Sequence, residues 1–287
     1  MVSMPMIGVY DSGFGGLTVL RALREVLPDY DYVYLGDSGR APYGGRDLNT
    51  VLDFAEQCVE RLFEEGCRLI VVACHTVSCT ALRHLQRKYA PDRNGATRIL
   101  GVTIPTAEAA VASSSGHIGI IGTSRTIQSG TFVTEIGKLS GHRVSAVAAP
   151  LLAPIVEEAW EQTDIAHQAV SRYVAQFTDI DTLVLACTHY PLLRQAFDLA
   201  VSPGVKVLDP SLAVARSLHS WLTRHSGFVN PGTAELRALC TGHPEVFRQH
   251  ARRFLGAELP VVQHVAEDQG RLAHRAQMRV AMGQIVR

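Results

Sequence analysis

Cys74 and Cys187 are the two residues whose surroundings most directly suggest chemistry. Each cysteine follows an apolar run that ends in alanine, and each is followed by a threonine and a histidine, in opposite order. An isolated cysteine usually packs as a small buried hydrophobe, but packing does not require a repeated polar context. The repeat therefore favours a functional pair. The cysteines without this context, which we predict to be structural, are Cys58, Cys67, Cys79 and Cys240.

Two equivalent thiols suit the inversion of a carbon centre through a planar carbanion. One thiolate removes the proton from one face, and the other thiol returns a proton to the opposite face. Each cysteine is predicted to precede a helix, whose N-terminal amides would lower a thiol pKa from about 8.5 toward neutrality. The pair Cys74 and Cys187 therefore predicts a racemisation.

The elements that must position these cysteines alternate between short β-branched runs and segments of helical period. The predicted strands are residues 7–10, 32–35, 69–73, 99–102, 118–121, 144–147, 183–186 and 205–208. The predicted helices include residues 17–27, 48–62, 77–89, 211–222 and 245–255. Such alternation implies parallel sheets that are covered by helices on both faces. Both cysteines would then lie at the carboxyl edge of a sheet, where ligand crevices form.

A glycine-rich segment, Asp11-Ser12-Gly13-Phe14-Gly15-Gly16, follows the first predicted strand and opens a helix. Glycines at such a place let backbone amides approach an anionic group. A dinucleotide site is the competing interpretation, but Thr18 occupies the third fingerprint position, where Gly or Ala is expected. Asp11 would also repel a pyrophosphate, so the dinucleotide interpretation is rejected.

Two polar turns follow other predicted strands. Residues 37–44 come after the second strand, and Thr123, Ser124 and Thr126 come after the strand that ends at residue 121. Taken singly, each is typical of turn or N-cap chemistry.

Acidic and histidine side chains supply further candidates. Glu157 and Glu158 are predicted at the beginning of a helix, where acids favour the helix dipole. His189 follows Cys187 by two residues and is predicted to hydrogen-bond a cysteine, a carboxylate or the substrate. Histidines without such a context, among them His117, are predicted at the surface or as helix caps.

The composition limits the partner and the compartment. Lys plus Arg and Asp plus Glu both number 27, so no net charge favours nucleic acid or an anionic membrane. No apolar stretch approaches the roughly 20 residues of a membrane helix, and the start lacks a signal-peptide pattern. The absence of a CxxC pair argues against structural zinc. We expect a cytoplasmic protein with a small-molecule partner, no metal and, in its last 20 residues, a weakly structured basic tail.

Several ordered motifs together resemble one known family, the glutamate racemases, along nearly the whole chain. They are Asp11-Ser12-Gly13, Gly15-Gly16-Leu17-Thr18, Tyr34-Leu35-Gly36-Asp37, Pro42-Tyr43-Gly44, Ala73-Cys74, Ile121-Gly122-Thr123, Cys187-Thr188-His189-Tyr190-Pro191-Leu192, Thr241-Gly242 and Arg253-Phe254-Leu255-Gly256. The resemblance implies two doubly wound parallel-sheet α/β domains, related by pseudo-twofold symmetry, with the active site in the cleft between them. It assigns residues 1–100 and 207–287 to the first domain and residues 101–206 to the second.

The same resemblance implies that the enzyme interconverts L- and D-glutamate without a cofactor and that D-glutamate is used for peptidoglycan. It is also compatible with a homodimer. It makes Cys74 the base that acts on D-glutamate and Cys187 the base that acts on L-glutamate. Asp11 would assist the first, His189 the second, and Glu157 would be a further auxiliary acid. The implied substrate contacts are Asp11, Ser12, Tyr43, Gly44, His75, Thr76, Thr123, Thr126, Thr188 and His189.

The sequence departs from the family at two places. His75 stands where Asn usually follows the first cysteine, and Thr103-Ile104-Pro105-Thr106 stands where the family has an acidic, glycine-containing turn. A neutral His offers one donor and one acceptor in a larger ring than Asn. Two alternatives therefore stay open: a racemase of the same superfamily that acts on aspartate or another amino acid, and a non-catalytic relative that only binds its ligand.

Overall fold

The computed structural model describes residues 6–90, 97–259 and 261–273, which form an α/β structure. Its strands are β1 (Ile7–Asp11), β2 (Tyr32–Gly36), β3 (Leu69–Val72), β4 (Arg98–Gly101), β5 (His117–Gly122), β6 (Arg143–Ala148), β7 (Thr182–Ala186), β8 (Lys206–Leu208), β9 (Leu236–Cys240), β10 (Val262–His264), β11 (Glu267–Asp268) and β12 (Arg271–Leu272). Its helices are α1 (Leu17–Val26), α2 (Leu48–Glu64), α3 (His75–Thr80), α4 (Leu82–Tyr89), α5 (Thr103–Ser113), α6 (Ser124–Gln128), α7 (Thr131–Leu139), α8 (Leu152–Glu157), α9 (Asp164–Val174), α10 (Arg194–Ala200), α11 (Ser211–Arg224) and α12 (Pro244–Leu255). Within the described ranges, no helix is long and apolar enough to cross a membrane.

Six parallel strands form the first sheet, in the order β10-β9-β2-β1-β3-β4. Strands β1, β2 and β3 are buried along their whole length. Helices cover both faces of a sheet of this kind, which explains why these strands read as continuous rather than alternating apolar runs.

Four parallel strands form the second sheet, in the order β6-β5-β7-β8. This order repeats the β2-β1-β3-β4 portion of the first sheet, so the chain traces the same path twice. The predicted pair of doubly wound parallel sheets is confirmed. In this strand order the ligand crevice forms at the carboxyl ends of the first and third strands of each series. In both sheets a cysteine lies at the end of that third strand: Cys187 directly follows β7, and Cys74 follows β3 after Ala73.

After β8 the chain returns to the first sheet. Helix α11 packs against α1, where Leu218 and Leu222 share one apolar core with Leu20 and Leu23. Burial of each leucine side chain contributes about 1.5–3 kcal/mol. The described strands between residues 117 and 208 all belong to the second sheet, which supports the predicted domain division at residues 101 and 206; the division itself stays a prediction.

The region after Cys74 differs from the prediction. The sequence predicts one helix over residues 77–89, whereas the structure has two helices, α3 and α4, which meet at Ala81. The Thr80 hydroxyl donates to the Thr76 carbonyl at 2.6 Å, and a side-chain bond of this kind bends helices. Residues 103–106, which stand where the family has an acidic, glycine-containing turn, form the first turn of α5.

Three further predictions need correction or completion. Strand β9 was not predicted because Arg237 interrupts its apolar run; the guanidinium pairs with Glu65 at 2.9 Å. His117 is buried rather than at the surface, with Nε2 2.8 Å from the Ser145 hydroxyl. The tail predicted to be weakly structured begins within the short hairpin of β11 and β12, and residues 274–287 lie outside the described residues.

Candidate active site

The two cysteines lie at equivalent places in the two sheets and line one cavity. Cys74 follows β3 and Cys187 follows β7, and both side chains are buried. The cavity has a volume of about 40 Å³. Its lining residues are Ser12, Gly13, Ala41, Pro42, Tyr43, Gly44, Cys74, His75, Thr76, Thr123, Ala153, Glu157, Cys187, Thr188 and His189. Loops from both sheets therefore enclose the space between the thiols.

On the first sheet's side, the Cys74 thiol contacts a serine. Ser12 Oγ lies 3.4 Å from Cys74 Sγ. Burial raises the pKa of Cys74 to about 12, and the negative charge of Asp11 adds to this shift, while the bond to Ser12 opposes it. Helix α3 has only six residues, so its amides do not overcome the cost of burial. The predicted near-neutral pKa is therefore wrong for Cys74, which is a protonated thiol at pH 7.

Asp11 ends β1 and lies behind the lining residues rather than among them. Its carboxylate accepts the backbone N–H of Gly13 at 2.9 Å and the Thr188 hydroxyl at 3.5 Å. Burial raises the pKa of Asp11, although His189 and the nearby backbone amides act against the shift. Asp11 therefore joins the loop of the first sheet to Thr188 in the loop of the second.

Gly15 shows why the segment after β1 needs glycine. A Cβ atom at this position would lie 2.2 Å from Thr188 Oγ1 and 2.6 Å from His189 Nδ1. No such contact is sterically allowed, so a larger residue would push both side chains away. The glycine thus permits a close approach between loops of the two sheets, whereas the sequence suggested an anion-binding turn.

On the second sheet's side, His189 lies between a thiol and a carboxylate. Its Nδ1 is 3.8 Å from Cys187 Sγ, and its Nε2 is 3.0 Å from Glu157 Oε1. Burial alone would lower the pKa of His189, but the contacts with Cys187 and Glu157 outweigh it and raise the pKa to about 10. A protonated imidazole donates from both nitrogens. At neutral pH, the ring of His189 therefore carries a positive charge between the Cys187 sulfur and the Glu157 carboxylate.

Glu157 is the last residue of α8 and does not lie at the beginning of a helix as predicted. Helix α8 begins at Leu152 because Pro154 fits within a first helical turn. A carboxylate at a helix C-terminus is disfavoured by the dipole, so the predicted reason for its position is wrong. Burial would raise the pKa of Glu157, but the bond from His189 outweighs it and lowers the pKa. Glu158 follows as the C-cap and is outside the lining.

Replacing Glu157 by Gln tests this pair directly. We expect the pKa of His189 to fall in Glu157→Gln, because the ring loses a charged partner while its burial remains. The wild-type ring keeps its proton up to about pH 10, whereas the variant releases it at lower pH. An NMR titration of ¹⁵N-labelled histidine measures the change. Glu158→Gln is the control, and an unaltered His189 titration in Glu157→Gln would contradict the assignment.

Three threonine hydroxyls from the two sheets meet beside the cavity. Thr76 Oγ1 lies 2.9 Å from Thr123 Oγ1 and 3.4 Å from Thr126 Oγ1. The hydroxyl oxygens of Thr123 and Thr126 lie 2.9 Å apart. Thr123 is the N-cap of α6 and accepts the Thr126 backbone N–H. Hydroxyls of this kind can turn to donate to a carboxylate. Thr76 and Thr123 line the cavity, whereas Thr126 lies behind them.

His75 is the lining residue with the least satisfied side chain. It is 3% exposed, and neither ring nitrogen has a hydrogen-bond partner among the described residues. Burial lowers its pKa to about 3, so the ring is neutral. The Phe132 ring stacks on it at a centroid distance of 6.1 Å. An unpartnered buried imidazole at a cavity is costly unless a ligand completes its hydrogen bonds.

The predicted site residues and the observed lining overlap closely. Among the predicted contacts, only Asp11 and Thr126 lie behind the lining. The lining residues that the sequence predicted neither as catalytic residues nor as contacts are Gly13, Ala41, Pro42 and Ala153. The first three lie within or beside the quoted motifs and could have been included. Ala153 carries no signal, because alanine is common in any helix.

Comparisons with known proteins extend over both sheets. Residues 17–218 match a family model described as Asp/Glu/Hydantoin racemase. The chain is 38% identical over 255 residues to a glutamate racemase of Aquifex aeolicus, covering 88% of this chain and 95% of that protein. The structure of a glutamate racemase isoform from Bacillus anthracis matches with a TM-score of 0.84 and 33% sequence identity. The match covers 93% of this chain and 98% of that protein's chain. The structure of the glutamate racemase of Francisella tularensis, solved in complex with D-glutamate, matches with 29% sequence identity and a TM-score of 0.82. The match covers 91% of this chain and 97% of that protein's chain.

Proposed function

The chain belongs to the Asp/Glu/Hydantoin racemase family and is similar to the glutamate racemases described above, and we propose that it interconverts L- and D-glutamate with Cys74 and Cys187 as the two bases. The observation that carries this proposal is the single cavity that both thiols line. A racemase must reach both faces of one carbon atom, and a cavity with one thiol from each sheet supplies that geometry.

The two sides of the cavity differ in a way that suits one direction of the reaction. The charged His189 stabilises a thiolate at Cys187, which takes the α-proton of L-glutamate. The protonated Cys74 then gives its proton to the opposite face of the carbanion, which yields D-glutamate. Cys187 is left as a thiol and Cys74 as a thiolate, so the resulting enzyme form is the one that takes D-glutamate in reverse.

Hydrogen-bond donors around the cavity suit a substrate with two carboxylates. Ser12, Thr76, Thr123 and Thr188 all offer hydroxyls, and we assign them to the carboxylates of glutamate. The cavity of about 40 Å³ holds only a few waters, since one water needs about 10–15 Å³. Substrate entry therefore requires the loops of the two sheets to separate. In this proposal the enzyme acts in the cytoplasm and supplies D-glutamate for peptidoglycan, and no cofactor takes part.

Incubation of the purified enzyme with L-glutamate in D₂O tests the proposal. We expect D-glutamate to form with deuterium at its α-carbon, because the proton returned comes from a second thiol that exchanges with solvent. Chiral chromatography with mass spectrometry measures both changes. If neither D-isomer nor α-deuterium appears at high enzyme concentration, the enzyme does not racemise glutamate.

The unpartnered ring of His75 favours one second candidate, a preference for a different amino acid. Analysis of the products formed from a panel of amino acids that includes aspartate would distinguish a glutamate racemase from this second candidate. An enzyme that inverts aspartate but not glutamate would support this candidate. A chain that binds glutamate without any exchange of the α-proton would instead be a binding protein.

Replacing His75 by Asn tests the specificity directly. We expect His75→Asn to raise kcat/KM for glutamate by about tenfold, because the smaller amide completes hydrogen bonds that the ring leaves open. The ratio of kcat/KM for glutamate to that for aspartate is the measured quantity. His84→Asn, at a histidine that pairs with Glu56 on the surface, is the control. An unchanged ratio would show that His75 does not set the preference.

A further inference from the structure

A buried hydrogen-bonded group lies beneath one wall of the cavity. The wall is the segment of residues 41–44, all of which line the cavity. Its Tyr43 ring is buried, and the Tyr43 hydroxyl accepts from Tyr10 at 3.2 Å and donates to the Asp37 carboxylate. The hydroxyl is therefore used to hold the wall in place rather than to meet a substrate.

Asp37 is the centre of this group. It is fully buried, and its carboxylate accepts Arg40 Nε at 2.9 Å and the Thr241 hydroxyl at 2.7 Å in addition to Tyr43. A buried ion pair is stable only when its remaining donors and acceptors are also satisfied. The position of the wall therefore depends on what holds the other end of Arg40.

Gln57 on α2 holds that end. Its Oε1 accepts Arg40 Nη1 at 2.8 Å and also the backbone N–H of Leu272 at 2.9 Å. Its Nε2 donates to Asp53 Oδ2 at 2.9 Å. Gln57 is 4% exposed, so no solvent can replace either donor. A single amide oxygen thus joins the group under the cavity wall to the backbone of the β11–β12 hairpin.

A second contact fixes the hairpin on the same helix. Arg61, one turn further along α2, donates from Nη1 to the Ala273 carbonyl at 3.1 Å. The Leu272 side chain is buried in the core that also contains Tyr10 and Tyr43. Two polar contacts and one apolar contact therefore dock residues 272–273 on α2.

We propose that Gln57 is a positioning residue and that the β11–β12 hairpin completes the support of the cavity wall, acting on Tyr43 through Arg40 and Asp37. Loss of the hairpin frees Gln57 Oε1 to turn away from Arg40, and the ion pair with Asp37 then loses its fixed geometry. The wall next to the substrate becomes mobile, so binding weakens more than the proton transfers at the two cysteines. The kinetic consequence rests on the proposed racemase function.

The test uses two shortened chains and three point variants. A chain that ends at Ala266 loses the hairpin, whereas a chain that ends at Ala273 keeps both contacts with α2. Gln57→Leu removes the shared oxygen, and Gln57→Glu retains an acceptor. Asp53→Ala removes the partner of Nε2 together with an exposed 4.0 Å ion pair to Arg271, and exposed pairs contribute little. The readouts are kcat and KM for glutamate and the exchange rates of the Arg40 and Arg46 amides, which donate to the Asp37 and Tyr43 carbonyls.

We expect the chain ending at Ala266 and Gln57→Leu to raise KM about tenfold, the effect of losing a hydrogen bond to a charged group, with kcat changed less. Exchange of the two amides should also rise about tenfold. The remaining three proteins should stay near wild-type values. Wild-type KM and exchange in Gln57→Leu would overturn the proposal, as would equal losses in the chain ending at Ala273. If the shorter chain does not fold, Gln57→Leu decides. Amide exchange decides the proposal even if the wild type fails to racemise glutamate.

Discussion

We expect Cys74→Ala and Cys187→Ala each to lower kcat for glutamate racemisation by at least about 10³. This value lies in the upper half of the range of about 10²–10⁴ that one general acid or base contributes. Each variant retains a base on one face of the α-carbon and has no proton donor on the other. The racemisation assay in both directions is the primary measurement. Cys67→Ala is the matched control, because Cys67 is an equally buried thiol that packs against Gly8 away from the cavity.

The surviving thiol should still show which face it serves. We expect Cys74→Ala to exchange the α-proton of L-glutamate with D₂O slowly and without inversion, through Cys187. The reverse variant, Cys187→Ala, should label D-glutamate in the same way through Cys74. Racemisation within tenfold of the wild-type rate in either variant would exclude the two-base mechanism. If Cys74→Ala labelled D-glutamate and Cys187→Ala labelled L-glutamate, each thiol would serve the face now assigned to the other.

The second large effect is expected at His189. We expect His189→Asn to lower kcat by about 10²–10³, the loss typical of removing one charge-stabilising donor, because the uncharged amide no longer stabilises negative charge on a sulfur 3.8 Å away. Glu157 then loses its partner, so the double variant with Glu157→Gln should be hardly slower than His189→Asn alone. His84→Asn should retain full activity. Additive losses in the double variant would show that Glu157 acts independently of His189.

The unequal surroundings of the thiols have a consequence for the resting enzyme. Burial and Asp11 keep Cys74 protonated, while the charged His189 lies beside Cys187. In the proposed reaction, this arrangement suits removal of a proton on the side of His189 and donation of one from Cys74. The duplicated sequence context suggested two equivalent thiols, but their neighbours make them different.

The sequence predicted the placement of the cysteines well because that placement depends on local patterns. Buried parallel strands read as continuous apolar runs, so the ends of β3 and β7 are visible in the chain. The polar residues directly after those runs must then lie at the carboxyl edge of a sheet. His189 was found for the same reason, since only one residue separates it from Cys187.

Glu157 was found only through the family resemblance, and the local interpretation of its position was wrong. Its contact with His189 joins residues 32 positions apart, which no period or cap signal encodes. The pKa of Cys74 was also misjudged. Local helix geometry suggested a lowered value, but the desolvation of a thiol sums over every element packed around it.

The sequence by itself determined the two parallel sheets, the cysteine after the third strand of each series, and the polar residues next to them, because apolar periodicity and chain proximity act over short distances. Only the tertiary structure decided which groups from the two sheets meet across the cavity. The Thr76 and Thr123 hydroxyls, the contact of His189 with Glu157, and the bond from Leu272 to Gln57 all join distant segments. Their geometry follows from how buried polar groups find partners once the chain is packed.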